Sequence, residues 1–293
     1  MTPNPAPDAP SPDDLAYCSA RELMGLLTSG RISSREILAT LLKRVEDRDG
    51  VTNVVVTVDV EQAMAQAAGA DDARAKGRPE ASRPLAGLPM TVKDSLMVSG
   101  MRTTSGAPEL SDHVADRHAD SVGNLIKAGA IVYGKTNLPI YGGDVQSFNE
   151  VFGVSNNPWD PDRAVGGSSG GSAGALAAGF TPLEVGSDIA GSIRNPAAMC
   201  GVVGHKSSYG IVSGRGQIPG PPGTFTEADI AVVGPMARTV ADCRLALDLM
   251  AGPNSWNAPA WTLKLPKARS TTLAGLRVAV MADDPYCPVD PEI

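Results

Sequence analysis

The chain has 293 residues, of which 42% are apolar and 19% charged, and its formal net charge is −7. This is the composition of a globular protein with a buried core, and it excludes a largely disordered chain. An acidic chain gains little from binding polyanions, so nucleic acid is not expected as a partner. No run of about 18 apolar residues occurs, so we expect no membrane-spanning helix.

The N-terminal segment, residues 1–14, is rich in proline and lacks the basic start and apolar stretch of a signal peptide. We expect residues 1–14 to be a disordered leader and residues 15–293 to be one domain. The four cysteines are far apart, which suits reduced thiols in a cytoplasmic protein. Only three histidines occur, so few residues are available to build a Ser-His-Asp triad or a zinc site.

Helix start signals and β-branched runs predict an alternation of helices and strands. Ser33 and Glu36, for example, form a capping box at the start of one predicted helix. In chain order the predicted elements are helices over 20–27 and 34–48, a strand over 52–58, a helix over 61–76, a strand over 88–92, a helix over 120–128, a strand over 130–133, a helix over 172–178, a strand over 183–185, a helix over 239–251, a loop over 253–272 and a strand over 277–281. This pattern indicates a mixed α/β fold whose largely central β-sheet is covered by helices on both faces.

The glycine- and serine-rich run at residues 166–174 reads GGSSGGSAG. Such a run can be a flexible linker, but here a helix-forming stretch follows it directly. A glycine-rich turn that opens a helix brings backbone N–H groups together and allows a serine a conformation that side chains would otherwise forbid. We therefore favour a functional turn over a linker.

A second turn, at residues 186–196, follows the predicted strand 183–185. It leads into a helix that we expect Asn195 to cap, with Pro196 at the first helical position. Ser192 lies on this turn beside consecutive backbone N–H groups, which is how an oxyanion hole is built. From these residues alone, a structural serine in a tight turn explains the pattern equally well.

Lys93 follows the apolar predicted strand 88–92. A lysine at such a place is usually a solvated surface charge. Packed against a buried serine, it would instead be kept neutral by desolvation and could act as a base.

Taken together, these segments resemble the amidase signature family of serine hydrolases. Residues 166–173 meet the family pattern GGSSGG(S)xA, and residues 187–194 meet the pattern (G/S)-D-x-(G/A)-G-S-I-R. Residues 87–94, 134–139 and 229–238 are also similar to the family. The resemblance covers about residues 18–281 and implies the amidase signature fold.

The resemblance implies hydrolysis of an amide-type C–N bond through an acyl-serine intermediate. Ser192 matches the nucleophile, Ser168 the serine that relays a proton through a cis peptide, and Lys93 the general base. The implied oxyanion hole consists of the backbone N–H groups of Ile189, Ala190, Gly191 and Ser192. The implied supporting residues are Asp188, Arg194, Gly166, Gly167 and Ser169.

The implied enzyme needs no metal and no cofactor. Its expected partner is a small amide or ester-like substrate, and carboxamides, aryl amides and carbamates (a urethanase activity) all stay open. No membrane partner is expected, and a homodimer is left open. The main alternative is a glutamine-hydrolysing amidotransferase subunit of the same family, which shares the triad and releases ammonia for a partner protein. A catalytically silent homologue is disfavoured because all three triad residues are present.

A phosphate-binding loop is the alternative from another class, because residues 129–136 fit GxxxxGK(S/T). In a true phosphate-binding loop a strand precedes the first glycine, whereas here a predicted helix does. We therefore disfavour a nucleotide-binding protein.

Three features depart from the family pattern. Ile140 stands where many relatives have an acidic residue, and Ser207 replaces a common proline. Family members usually also continue beyond the position where this sequence ends, so we expect the domain over 15–293 to lack its C-terminal part. The first two departures mean that the substrate does not follow from the motifs.

Overall fold

The computed structural model of the protein describes residues 11–218, 227–270, 272–281, 284–286 and 288. The chain divides into two compact units, Met1–Leu263 and Lys264–Ile293. The helices and strands of the described residues all lie in the first unit. None of these helices is both long and apolar enough to cross a membrane.

Five of the eight α-helices in the described residues begin where a side-chain oxygen accepts one of the first N–H groups. Ser19 and Ser33 both form capping boxes, with Glu22 and Glu36 respectively. In the described residues the α-helices are α1 (Pro12–Tyr17), α2 (Ala20–Thr28), α3 (Ser34–Thr52), α4 (Val60–Ala75), α5 (Asp120–Lys127), α6 (Gly170–Ala177), α7 (Arg194–Cys200) and α8 (Val240–Met250).

The strands of the described residues form two three-stranded sheets and a short hairpin. They are β1 (Val55–Val58), β2 (Pro89–Lys93), β3 (Ile131–Thr136), β4 (Phe148–Asn149), β5 (Gly153–Val154), β6 (Leu183–Asp188), β7 (Val203–Gly204) and β8 (Val232–Ala237). In the order β1-β3-β2, β1 is antiparallel and β2 parallel to β3. In the order β6-β8-β7 both pairs are antiparallel. The two sheets meet where β2 lies beside β6.

Apolar side chains on both faces of the strands bury against helices. On β8, Val233 and Ala237 belong to the larger core cluster, to which α2, α3, α4, α5 and α8 contribute. Met236, which points the other way, belongs to a second cluster with side chains of α6 and α7. The predicted mixed α/β fold with helices on both faces is therefore confirmed.

Strand β8 was not predicted, because Gly234 and Pro235 argue against a central strand. The Pro235 carbonyl accepts a hydrogen bond from the N–H of His205, just beyond β7. The nitrogen and carbonyl of one strand residue point to the same side, so the missing N–H of Pro235 faces the end of β7. The proline therefore costs the ladder to β6 no hydrogen bond.

The boundary between α3 and β1 differs from the prediction, because Thr52 ends the helix instead of beginning the strand. The buried carboxylate of Asp49 accepts the N–H groups of Val54 and Val55, and Asn53 turns the chain in the left-handed conformation. These local bonds extend the helix by one turn and delay the strand.

Two further corrections concern the ends of the sequence. Residues 12–14, assigned to the leader, lie in α1, because Ser11 caps that helix; residues 1–10 lie outside the described residues. The strand predicted over 277–281 is absent in the second unit, where Val278 and Val280 are exposed. These residues pair with no strand among those described, and a strand needs such a partner.

Close packing of α6 against the end of β3 yields a stability prediction. A Cβ on Gly171 would lie 2.3 Å from the backbone nitrogen of Asn137. We expect Gly171→Ala to lower the free energy of unfolding by about 2 to 3 kcal/mol, measured by urea denaturation. The control is Gly25→Ala in α2, where a Cβ would meet no atom within 4 Å. That change should raise stability by about 0.5 to 1 kcal/mol, and equal stability of the two variants would contradict the prediction.

Candidate active site

The amine of Lys93 lies at the end of β2, among three serine hydroxyls. The side chain is 1% exposed. Its Nζ atom is 2.6 Å from Oγ of Ser168, 3.0 Å from Oγ of Ser169 and 3.0 Å from Oγ of Ser187. The usual expectation of a solvated lysine therefore does not hold for this residue.

Burial sets the charge of this amine. It lowers the pKa of Lys93 to about 7, because desolvation penalises the ammonium form, while the carboxylates of Asp188 and Glu184 oppose the shift. A substantial fraction of the amine is therefore neutral at neutral pH. A neutral amine can accept a proton from a neighbouring hydroxyl.

The glycine-rich turn brings Ser168 and Ser169 to the lysine. The peptide bond between Gly167 and Ser168 is cis, and Ser169 is the N-cap of α6. Gly166 has a positive φ of 83°, and a Cβ on Gly167 would lie 2.6 Å from the backbone of Val145. Glycine is thus required at both positions by conformation and space, which rules out the linker interpretation.

The second turn is organised by Asp188, whose side chain is fully buried. Its carboxylate accepts hydrogen bonds from the N–H groups of Gly191, Ile193 and Arg194, and from the Arg194 guanidinium. Burial alone would raise the pKa of Asp188, but the hydrogen bonds, led by Arg194, lower it to about 2. An ionised Asp188 therefore holds the turn that carries Ser192.

This carboxylate also explains a correction to α7. The helix begins at Arg194, and Asn195 does not cap it. Because Asp188 accepts the N–H groups of Ile193 and Arg194, the helix starts earlier than expected, and Pro196 is its third residue.

Among the described residues, three of the four predicted oxyanion donors have no hydrogen-bond acceptor. The N–H of Gly191 donates to Asp188 at 2.8 Å. Within the described residues, the N–H groups of Ile189, Ala190 and Ser192 donate to no acceptor. The carbonyl of Ser192 accepts the N–H of Ser169 at 3.0 Å, which ties the two turns together.

A cavity of about 30 Å³ brings the predicted residues together. Its lining includes Lys93, Ser168 and Ser192, together with groups that the motifs did not single out: Ser95, Tyr141, Gly142, Ser187, Gln217 and Ile218. The hydroxyl of Ser95 is buried and has no hydrogen-bond partner in the described structure, so it is available to a bound molecule. None of the three histidines lines this cavity.

Of the groups that sequence analysis missed, two had a local signal: Ser187 is the first residue of the second motif, and Ser95 lies two residues after Lys93. Tyr141, Gly142, Gln217 and Ile218 reach the cavity from separate segments. Ile218, for example, is held there because its N–H donates to the carbonyl of Ser95. Contacts of this kind leave no trace in spacing.

The phosphate-loop alternative fails on the position of Lys135. This residue lies inside β3 and is fully buried. Its Nζ donates to Asp94 Oδ1 at 3.1 Å and to the hydroxyl of Thr103 at 2.9 Å. A lysine held in this way is not available to a phosphate.

Comparison with known proteins agrees with this geometry. The family model described as Amidase matches residues 36–293. The chain belongs to the amidase family. This confirms the resemblance drawn from the motifs and makes a C–N hydrolase the supported enzyme class.

Among curated amidase relatives, the chain is 38% identical to a glutamyl-tRNA(Gln) amidotransferase subunit of Moorella thermoacetica, over 96% of this chain and 56% of that protein. It is 39% identical to the subunit of the same name from Chromohalobacter salexigens, over 93% of this chain and 55% of that protein. The chain spans about half the length of the curated relatives it matches.

Solved amidase structures share the fold. One is a bacterial aryl acylamidase of the amidase signature family, with a TM-score of 0.78 and 31% identity over 86% of this chain and 51% of that one. Another is fatty acid amide hydrolase, with a TM-score of 0.74 and 29% identity over 82% of this chain and 42% of that one.

The buried lysine yields a prediction about stability and pH. Unfolding returns Lys93 to its ordinary pKa near 10.4, so between about pH 7 and pH 10 the unfolded state binds more protons than the folded state. Stability therefore rises with pH in this window. Relative to Lys93→Met, we expect the wild-type free energy of unfolding to increase by on the order of 3 kcal/mol from about pH 7 to pH 9.5.

Urea denaturation at both pH values measures this difference. The exposed Lys127 provides the control, since Lys127→Met should keep the wild-type pH dependence. Identical pH dependence of the wild type and Lys93→Met would contradict a neutral buried amine.

Proposed function

We propose that this chain hydrolyses an amide-type C–N bond through an acyl-serine intermediate on Ser192. The observation that carries the proposal is the 2.6 Å contact between the buried Nζ of Lys93 and Oγ of Ser168. Ser192 lines the same cavity, beside backbone N–H groups that have no acceptor among the described residues. A base, a relay and a nucleophile are thereby available without a histidine.

The three hydroxyls around Lys93 suggest how the proton moves. A neutral amine has two N–H donors and one lone pair. Ser169 and Ser187, each at 3.0 Å, can accept the two N–H groups, which leaves the lone pair for the hydroxyl of Ser168 at 2.6 Å. Lys93 would then take the Ser168 proton while Ser168 takes that of Ser192.

The chemical steps follow from this arrangement. Oγ of Ser192 attacks the carbonyl carbon, and the resulting oxyanion accepts hydrogen bonds from the N–H groups of Ile189, Ala190 and Ser192. When the tetrahedral intermediate collapses, the C–N bond breaks and the amine leaves with the proton returned through Ser168. Water then attacks the acyl-serine by the same relay and releases the acid.

Glutamine is a more specific candidate substrate than an unspecified amide, and it is the second possibility that we consider. The relatives from Moorella thermoacetica and Chromohalobacter salexigens are amidotransferase subunits, and they favour a glutamine-hydrolysing subunit over a free-standing amidase. The glutamine side chain is a primary carboxamide, so the leaving group is ammonia. In this case a partner protein would receive the ammonia.

The nucleophile assignment gives a direct prediction. Ser192→Ala should abolish covalent labelling by a fluorophosphonate, because this reagent requires an activated serine oxygen. Hydrolysis should fall by several orders of magnitude, as is usual when a nucleophile is removed. Intact-protein mass spectrometry measures the adduct, and circular dichroism checks the fold.

The control is Ser208→Ala, which changes an exposed serine outside the cavity and should leave labelling intact. Lys93→Arg should also lose labelling, because a guanidinium stays charged and cannot accept the proton. A fluorophosphonate adduct that persists in Ser192→Ala would contradict the assignment.

A substrate comparison separates the two candidates. We expect ammonia release from glutamine, measured with and without an added amidotransferase partner protein, to exceed hydrolysis of acetanilide and of a phenyl carbamate. An acyl-enzyme trapped on Ser192 should then show the mass of a glutamyl adduct. Faster turnover of the anilide or carbamate would favour a free-standing amidase or urethanase instead.

A further inference from the structure

The relative position of β2 and β6 is set by side chains. The two strands lie side by side, but in the described part of the chain no backbone ladder joins the sheets to which they belong. Lys93 ends β2, whereas its hydrogen-bond partner Ser187 lies on β6. The alignment of the lysine with its serines therefore depends on side-chain bonds between the two strands.

Glu184, on β6, forms the central side-chain hydrogen bonds between these strands. Its side chain is fully buried. Its Oε1 atom accepts hydrogen bonds from the hydroxyl of Thr91 on β2, at 2.6 Å, and from the hydroxyl of Thr136 on β3, at 3.1 Å. Its Oε2 atom accepts the N–H of Val185 at 2.9 Å. One carboxylate thus connects three strands, and Thr91 lies two residues before Lys93 on the same face of β2.

The same cluster reaches the helix that follows the glycine-rich turn. The hydroxyls of Thr136 and Ser172 are 2.9 Å apart, and Ser172 lies in the first turn of α6. Ser169 occupies the N-cap position of that helix, and Ser168 precedes it. Every element that supplies a group around the Lys93 amine is therefore bonded to Glu184 directly or through Thr136.

We propose that Glu184 is a positioning residue of the active site: it holds β2, β3, β6 and α6 so that the Lys93 amine stays within hydrogen-bond distance of Ser168. The inference rests on the proposed function, because it concerns the proton relay to Lys93. Glu184 does not line the cavity, so it acts through Thr91 and Thr136.

The carboxylate also acts through its charge. The ionisable groups that face Glu184 are Lys93 on β2 and Tyr133 and Lys135 on β3, whereas α6 and β8 contain none. Burial raises the pKa of Glu184 to about 7, against the hydrogen bonds that it accepts. Its negative charge, like that of Asp188, raises the pKa of Lys93. Because Glu184 and Lys93 titrate in the same pH range, part of Glu184 is still ionised where Lys93 loses its proton, and removal of this charge should shift that loss to lower pH.

The test is the rate of fluorophosphonate labelling of Ser192 from about pH 5 to pH 9. Glu184→Gln keeps the size of the side chain and removes its charge. We expect labelling about tenfold slower or worse, because small misplacements of reacting groups have effects of this size. We also expect the acid limb, the part of the profile in which the labelling rate rises as Lys93 loses its proton, to move to lower pH.

Asp242→Asn is the matched control. Asp242 is a fully buried carboxylate that caps α2 by accepting the N–H groups of Ala20 and Arg21. This variant makes the same acid-to-amide change at a buried side chain away from the cavity. It should keep the wild-type labelling rate and the wild-type acid limb in the folded protein.

An unchanged rate in Glu184→Gln would overturn the inference, and so would slower labelling with an unshifted acid limb. If that variant does not fold, Thr91→Val removes the shortest bond to the carboxylate and leaves the charge. Thr91→Val should still slow labelling, and a wild-type rate would overturn the inference. Fluorophosphonate labelling that persists in Ser192→Ala would contradict the proposed function itself, whatever the result for Glu184→Gln.

Discussion

The desolvation of one amine is the constraint on which the rest of the site depends. Lys93 has no ion pair at its Nζ atom, only the hydroxyls of Ser168, Ser169 and Ser187 among the described residues. An unpaired ammonium is costly to bury, and the fold meets this cost by favouring the neutral form. The basic lone pair that the proposed mechanism requires is therefore a consequence of packing.

The neighbouring strand shows the opposite solution to the same problem. Lys135, on β3, is also fully buried, but it forms an ion pair with Asp94. Asp94 in turn accepts the N–H and hydroxyl of Thr104. One buried lysine is thus held by a carboxylate as part of the scaffold, and the other is surrounded by hydroxyls that can exchange protons with it. Their different partners separate a structural lysine from a proposed base.

The two turns of the site are held by different kinds of contact. In the glycine-rich turn, the absence of side chains lets the backbone approach Val145 and Asn137 closely. In the second turn, the Asp188 carboxylate accepts several N–H groups, and other N–H groups of the turn have no acceptor in the described part of the chain. The N–H of Ser169 joins the turns by donating to the carbonyl of Ser192. The proposed nucleophile and relay are therefore fixed to each other by backbone, which limits their relative movement.

The sequence by itself determined most of the helices, several of the strands and the family. The capping box formed by Ser33 and Glu36, alternating apolar runs and two dense motifs act over a few residues, so they can be recognised without the fold. The same motifs indicated Lys93, Ser168 and Ser192, although their roles stay a prediction. Local rules failed where a distant group intervened, as when Asp188 started α7 before Asn195.

Only the tertiary structure decided which side chains surround the lysine. Ser187 and Glu184 act across two strands that no backbone ladder joins in the described chain, and Ile218 reaches the cavity from a separate loop. Strand β8 tolerates Pro235 because the position without an N–H faces the end of β7, and this depends on where β7 ends. The 277–281 run lacks a partner among the described residues, so its β propensity had no effect. Burial, and with it the charge of Lys93, is a property of the packed chain and cannot be read from local sequence.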